Sequence, residues 1–231
     1  MCGRYQFSAD EYKEIRQIVR DAQRRSEGNE LNFPMAGDIC PSQVAPVLVS
    51  RGEKIVGEFQ QWGLPGFRGR QQIINARAET VFTKPAFRKP IRRTRCLVPV
   101  TGFFEWRHED DRRIPYYVAP AGGGICSLAG VYDMWRNPDT GEQVETFAII
   151  TTEADALMRS IDNVNGRMPV ILTGRQQQRW LDPSLDEEAV RSLLEPLPDG
   201  LLRAETIDNG FLKKSPDDPT ILQPRTESAQ A

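Results

Sequence analysis

Cys96-Leu97-Val98-Pro99-Val100-Thr101-Gly102-Phe103-Phe104-Glu105-Trp106 is a run rich in valine and aromatic residues. Composition of this kind over so short a length reads as strand. The same texture recurs on both sides, at residues 44–49, 54–62, 71–77, 116–119, 125–131 and 146–151. Glycine and proline punctuate these runs at Gly63, Pro65, Gly66, Gly69, Gly122 to Gly124, Pro138 and Gly141. Short strands at this spacing predict a curled, barrel-like antiparallel β core and not βαβ repeats. Helices flank it. Ser8-Ala9-Asp10-Glu11 reads as a capping box, followed by Tyr12, Ile15, Ile18, Val19 and Ala22 at helical spacing, so a helix is expected to about Arg25, ended by Gly28 and Asn29. Residues 153–160, 174–181 and 186–194 read as short helices around an apolar strand at 168–172, the last with acidic residues in its first turn. The expectation is one α+β domain over residues 1–224 and a flexible tail over 225–231.

Composition narrows the function. The chain has 231 residues, 39% hydrophobic and 27% charged, which supplies a real core. Its 30 basic and 32 acidic residues give 30 − 32 = −2, which excludes a polybasic binder but not a groove lined by a few arginines. A single histidine, His108, rules out a multi-histidine metal site. Cys2, Cys40, Cys96 and Cys126 are scattered, with no C-x-x-C, so neither a zinc ribbon nor a redox dithiol is expected, and no cofactor or metal is predicted. The N-terminus lacks the basic and apolar regions of a signal peptide, and no apolar run reaches the roughly 18 residues of a membrane span. A cytoplasmic protein with free thiols is therefore expected.

Cys2 is the singular residue. Removal of the initiator methionine, normal before a small residue, would place a free α-amine beside the thiol. Their reference pKa values, about 7.7–8.0 and about 8.5, make both nucleophiles partly available near neutrality. Such an aminothiol condenses with an aldehyde to an imine that the thiol closes to a thiazolidine. It can also attack an acyl carbon, as N-terminal nucleophiles do. A small buried residue explains position 2 equally well when taken alone. Alternation along the strand at 73–80 puts Asn75, Arg77 and Glu79 on one face, which is then solvent or a site. Glu105 sits among aromatics, a setting that raises a carboxyl pKa and suits acid–base work, against the plainer reading of an exposed strand glutamate.

Together, Met1-Cys2-Gly3-Arg4, Ile74-Asn75-Ala76-Arg77-Ala78-Glu79-Thr80, Gly102-Phe103-Phe104-Glu105-Trp106 and Arg167-Met168-Pro169-Val170-Ile171-Leu172 resemble the SOS response-associated peptidase (SRAP) family. Trp62-Gly63-Leu64-Pro65-Gly66, Arg95 to Pro99 and Leu128 to Tyr132 support the likeness, in family order, up to about Pro224. The resemblance implies a sensor of abasic sites in single-stranded DNA that links itself to them in the DNA damage response. It implies a thiazolidine between the processed Cys2 and the ring-opened sugar, autocatalytic removal of Met1, and peptidase and lyase activity. Carried over, Cys2 is the nucleophile, Asn75 binds the opened sugar, Glu105 moves protons, and Arg4 and Arg77 hold phosphates. The expected partner is single-stranded DNA containing abasic sites, met by a monomer that is nucleoid-associated when bound.

The residues themselves agree. Arg68, Arg70, Arg88, Lys89, Arg92, Arg93 and Arg95 cluster within 68–95, and Phe67 and Trp106 are candidate stacking platforms, against the plainer readings of a solvated face and a core indole. Asn209 and Lys213 lie near where relatives carry further DNA-facing residues. One departure stands out. Relatives carry a histidine before Arg-Met-Pro, and Asp162 occupies that place here, while His108 reads as exposed and not catalytic. Two rival classes remain, an N-terminal-cysteine amidohydrolase and a non-covalent reader of modified or single-stranded DNA. The first predicts a longer chain with a synthase domain, and the second predicts binding indifferent to Cys2→Ala.

Overall fold

The computed structural model describes residues 2–8, 13–26, 36–66, 72–136, 140–215, 218 and 220–224. Five strands close a ring. They are β3 (Val44–Arg51), β4 (Lys54–Trp62), β8 (Arg95–Val100), β11 (Cys126–Arg136) and β12 (Gln143–Glu153), paired β12–β4–β3–β8–β11 and back to β12. Four of the five pairings are antiparallel, and β12–β4 is parallel, Thr146 opposite Gln61 and Phe147 opposite Trp62. The barrel is thus mixed where an antiparallel one was expected, because the chain returns to close the ring from the same end. On β12 hang β7 (Asn75–Arg77), parallel, and β13 (Arg167–Pro169), while β14 (Ile171–Leu172) pairs with β11.

A second sheet runs β15 (Leu202–Thr206), β10 (Arg112–Pro120), β9 (Gly102–Glu109), β1 (Tyr5–Ser8) and β2 (Ala36–Ile39). The run at 96–106 is therefore two strands in two sheets, broken at Thr101, whose amide donates to the Gln6 carbonyl at 3.0 Å. Gly102 makes the change of sheet feasible, since a Cβ there would overlap the buried Tyr117 ring. Alternation divides the core. Val98, Phe147 and Ile149 join one apolar cluster with Tyr5, Phe7 and Phe103, while Leu97, Ala148 and Ile150 face another with Trp180 and Leu193. A short pair, β5 (Leu64–Pro65) and β6 (Gln72–Ile73), leads into β7.

Helix α1 (Lys13–Arg25) buries Ile15, Val19 and Ala22 and sits on β4 at Gly57, where a Cβ would overlap the Ile18 carbonyl. Ser8 of the expected capping box closes β1 opposite Ala36; residues 9–12, like Gly28 and Asn29, lie outside the described residues. Glu153 ends β12 instead of opening a helix. Asp155 caps α3 (Ala156–Ile161) through the Met158 amide at 2.7 Å, and Asp186 caps α5 (Glu187–Arg191) through Ala189 at 2.8 Å. The sequence gives no sign of α2 (Pro90–Arg93), whereas α4 (Arg175–Leu181) lies where expected. Among the described residues no helix is long and apolar enough to cross a membrane. The expected tail, 225–231, lies outside them.

Candidate active site

Cys2 enters the core just before β1, with no exposed surface. Its position follows from β1, which is held between β2 and β9 by the pairs Tyr5–Ile39 and Tyr5–Phe103. The Phe104 amide donates to the Arg4 carbonyl at 3.0 Å, extending that grip toward the N-terminus. From β7, Asn75 Nδ2 donates to the Cys2 carbonyl at 2.9 Å. Asn75 Oδ1 is buried without a hydrogen-bond partner among the described residues, and an acceptor held this way is available to a hydroxyl brought by a ligand.

Glu105 on β9 is 4% exposed, and its Oε1 accepts from the Trp106 amide at 3.3 Å. Burial raises its pKa, and the nearby charge of Asp162 adds to that, against the positive charge of the amino terminus. Asp162 caps the end of α3 and is 2% exposed. Burial pushes it up, but the amino-terminal charge and the Asn165 hydrogen bonds outweigh that and hold it low. Asn165 N and Nδ2 reach Asp162 Oδ1 at 3.2 and 3.1 Å, and the Arg167 amide reaches Oδ2 at 3.3 Å. The two neighbouring carboxyls are thus pushed in opposite directions, Glu105 up and Asp162 down. Burial, then the charge of Glu105, lifts the Cys2 thiol to about 12, so it rests protonated.

The buried thiols have a consequence for stability. Cys2 and Cys126 are both pushed up to about 12 from an ordinary value of 9.0 by burial, and Cys96 is raised as well. Above pH 9 the unfolded thiols ionise while the folded ones keep their protons, so the native state binds more protons. Its stability should then fall as pH rises through that window, by up to about 1.4 kcal/mol per pH unit for each thiol. Urea unfolding measured at successive pH values checks this, and a flat profile above pH 9 contradicts it.

Other expected site residues are placed differently. Arg4 donates Nε to Asp38 Oδ2 at 2.7 Å, forms an ion pair with the same oxygen, and lies over the rings of Phe104 and Phe211, 5.6 and 4.7 Å from their centroids. Asp38 is itself buried and lifted to about 6 by burial against the pull of Arg4. Arg4 therefore braces β1 against its neighbours. Arg77 is exposed at the end of β7, but Glu79 does not share its strand: it sits in the following turn and holds Arg167 at 2.5 and 3.0 Å. Trp106 is half-buried and stacks on Phe211, centroids 6.5 Å apart, with Arg113 over its ring. Phe211 belongs to a 3-10 helix (Asn209–Lys213) whose Asn209 and Lys213 are exposed. Phe67, Arg68 and Arg70 lie outside the described residues. Arg95 is no part of a basic surface: it is buried and donates to the carbonyls of Trp180, Ile91 and Asp182 at 2.7, 2.9 and 2.5 Å.

His108 is exposed, yet its peptide is gripped by Asn163, whose Oδ1 accepts from His108 N at 3.0 Å and whose Nδ2 donates to His108 O at 2.7 Å. That bridge ties the turn carrying Asp162 to the strand carrying Glu105. Asn163, Asn165 and Asp38 were not legible as site residues, since nothing in their spacing signals a long-range partner. Among the described residues no group of three His, Cys, Asp or Glu side chains is arranged to hold a metal ion.

The family model described as SOS response associated peptidase (SRAP) matches residues 1–211 of this chain. The Bacillus subtilis protein named abasic site processing protein YoqW is 34% identical over 203 residues, covering 85% of this chain and 87% of that one. Abasic site processing protein HMCES of Gallus gallus is 27% identical over 224 residues, covering 79% of this chain and 66% of its own. A crystal structure of a Bacteroides thetaiotaomicron protein aligns at TM-score 0.82 and 38% identity, over 97% of this chain and all of the other.

Proposed function

We propose, since the chain belongs to the SOS response associated peptidase family, that it processes abasic sites in DNA and does so with Cys2 as the nucleophile. The observation that carries the reading is a convergence. Cys2, Asn75, Glu105 and Asp162 come from four separate stretches of chain, yet Asn75 bonds the Cys2 backbone, the charge of Glu105 acts on the Cys2 thiol and that of Asp162 acts on Glu105.

In the proposed reaction, Met1 is first removed by hydrolysis of its peptide bond. The freed amine of Cys2 then attacks the aldehyde carbon of the ring-opened deoxyribose. The carbinolamine loses its hydroxyl as water, taking a proton from Glu105, and the iminium so formed returns its N–H proton to the Glu105 carboxylate, leaving an imine. The thiol adds to the imine carbon and its proton passes to nitrogen, closing the thiazolidine. Aldehyde and aminothiol thus give the ring and one water. A thiol that rests protonated suits this order, because the amine must act first and the sulfur brings its own proton. Asn75 Oδ1 would accept from a sugar hydroxyl, Arg77 would meet a phosphate of a single strand, and Trp106 would stack on a base.

Incubation with single-stranded DNA carrying one abasic site, followed by a denaturing gel, should give a shifted band. Failure of correctly trimmed protein to give the band overturns the proposal.

Asp162 bears on release. A carboxylate held charged is a poor proton donor, whereas an imidazole near its own pKa gives and takes protons at neutrality. Asp162→His is expected to speed release of the preformed adduct by about 10- to 100-fold. Release rates measured after quenching fresh adduct formation check this, and equal rates contradict it.

A further inference from the structure

We infer that the segment from Lys84 to Arg93 is a second phosphate-binding surface, which carries the DNA strand onward from the site. The inference rests on the reading of the site as a DNA site. Between Glu79 and Glu105 the sequence contains no acidic residue at all, yet it carries Lys84, Arg88, Lys89, Arg92, Arg93 and Arg95. In a chain of net charge −2 that is a marked segregation of charge. The structure sorts these six. Arg95 is withdrawn into the interior, and Arg92 pairs with Glu187 at 2.5 Å. Lys84, Arg88, Lys89 and Arg93 are exposed and make no ion pair among the described residues.

The four cations stand on a fixed base. Consecutive turns close it, with the amides of Lys84, Arg88, Ile91 and Thr94 donating to Thr80, Lys84, Phe87 and Pro90 at 2.7 to 2.9 Å. Val81, Phe82, Phe87 and Ile91 anchor it into the core beneath. The segment also starts at the site itself, for the Thr80 amide donates to the Arg77 carbonyl at 3.1 Å and Ala78 is tied to Thr151. Four exposed like charges within ten residues, without ion-pair partners among the described residues, repel one another, and a polyanion relieves that repulsion. A phosphodiester backbone continuing past Arg77 is the polyanion that this continuity favours over an acidic protein.

The test separates this surface from the chemistry. Binding is measured by anisotropy on oligonucleotides containing tetrahydrofuran, an abasic analogue without an aldehyde, which cannot be linked. One oligonucleotide is confined to the lesion and its nearest neighbours, and others extend it on either side. For the native protein, extension on one side should tighten binding and steepen the salt dependence. With Arg88, Lys89 and Arg93 all changed to Gln, that gain should disappear and the salt slope on the extended oligonucleotide should fall by about 2, at about 0.7 per single-strand phosphate. A gain and slope retained in the triple variant overturn the inference, as does loss of polyglutamate binding with DNA binding intact. Absence of a covalent adduct on the aldehyde substrate would instead count against the proposed chemistry.

Discussion

A Cys2→Ser chain is expected to give no stable adduct with abasic DNA, yet still to be captured when borohydride is present during the reaction. The substitution leaves the α-amine in place and removes the sulfur. Imine formation needs only the amine, so the first half of the reaction survives. Without the thiol no thiazolidine closes, and the imine hydrolyses back. Borohydride reduces the imine carbon with hydride and fixes the linkage. The position of residue 2 is set by pairing of Tyr5 with Ile39 and Phe103 and by the Asn75 bond to the Cys2 carbonyl, none of which involves the thiol. The loss of stable product should therefore be complete without loss of fold. Stable product at the native level would show that the sulfur takes no part.

The second large effect is expected at Glu105. Burial raises the pKa of its carboxyl above that of an ordinary glutamate, and the charge of Asp162 adds to that. A neutral acid beside the reacting carbon can release the carbinolamine hydroxyl as water. Glu105→Gln keeps the shape and loses the proton, so adduct formation should slow by about 10²- to 10⁴-fold, the range of a lost general acid–base group. Single-turnover rates at saturating DNA check this, together with their pH profile. The native rate should fall as pH rises through the raised pKa of Glu105, because the acid loses its proton there. In Glu105→Gln that fall should vanish. A rate within a few-fold of native, with the same pH profile, contradicts the assignment.

Much of the barrel was legible because its strands are punctuated. The run 54–62 matches β4 end to end, since Gly52 and Gly63, both with positive φ, bound it. The run 96–106 reads as one strand and is two, because both halves are equally apolar. Only the packing of Gly102 under Tyr117, a contact from β10, divides them. Strands β1 and β2 are four residues each, too short for alternation to register before their long-range partners are known.

The site divides in the same way. Cys2, Asn75, Glu105 and Asp162 are visible as chemistry or by family likeness, while their meeting depends on pairings such as β1 with β9 and β7 with β12. Charge is the least legible feature. Arg95 and Arg93 look alike in sequence, yet one fills a nest of carbonyls and the other faces water. Arg4 likewise looks free for a phosphate until Asp38, 34 residues away, claims it.

The most direct measurement is the intact mass of the purified protein–DNA product. The expected mass is that of the chain without Met1 plus the oligonucleotide less one water, with fragmentation placing the linkage at Cys2. A linkage on any other residue, or a product still carrying Met1, would contradict it.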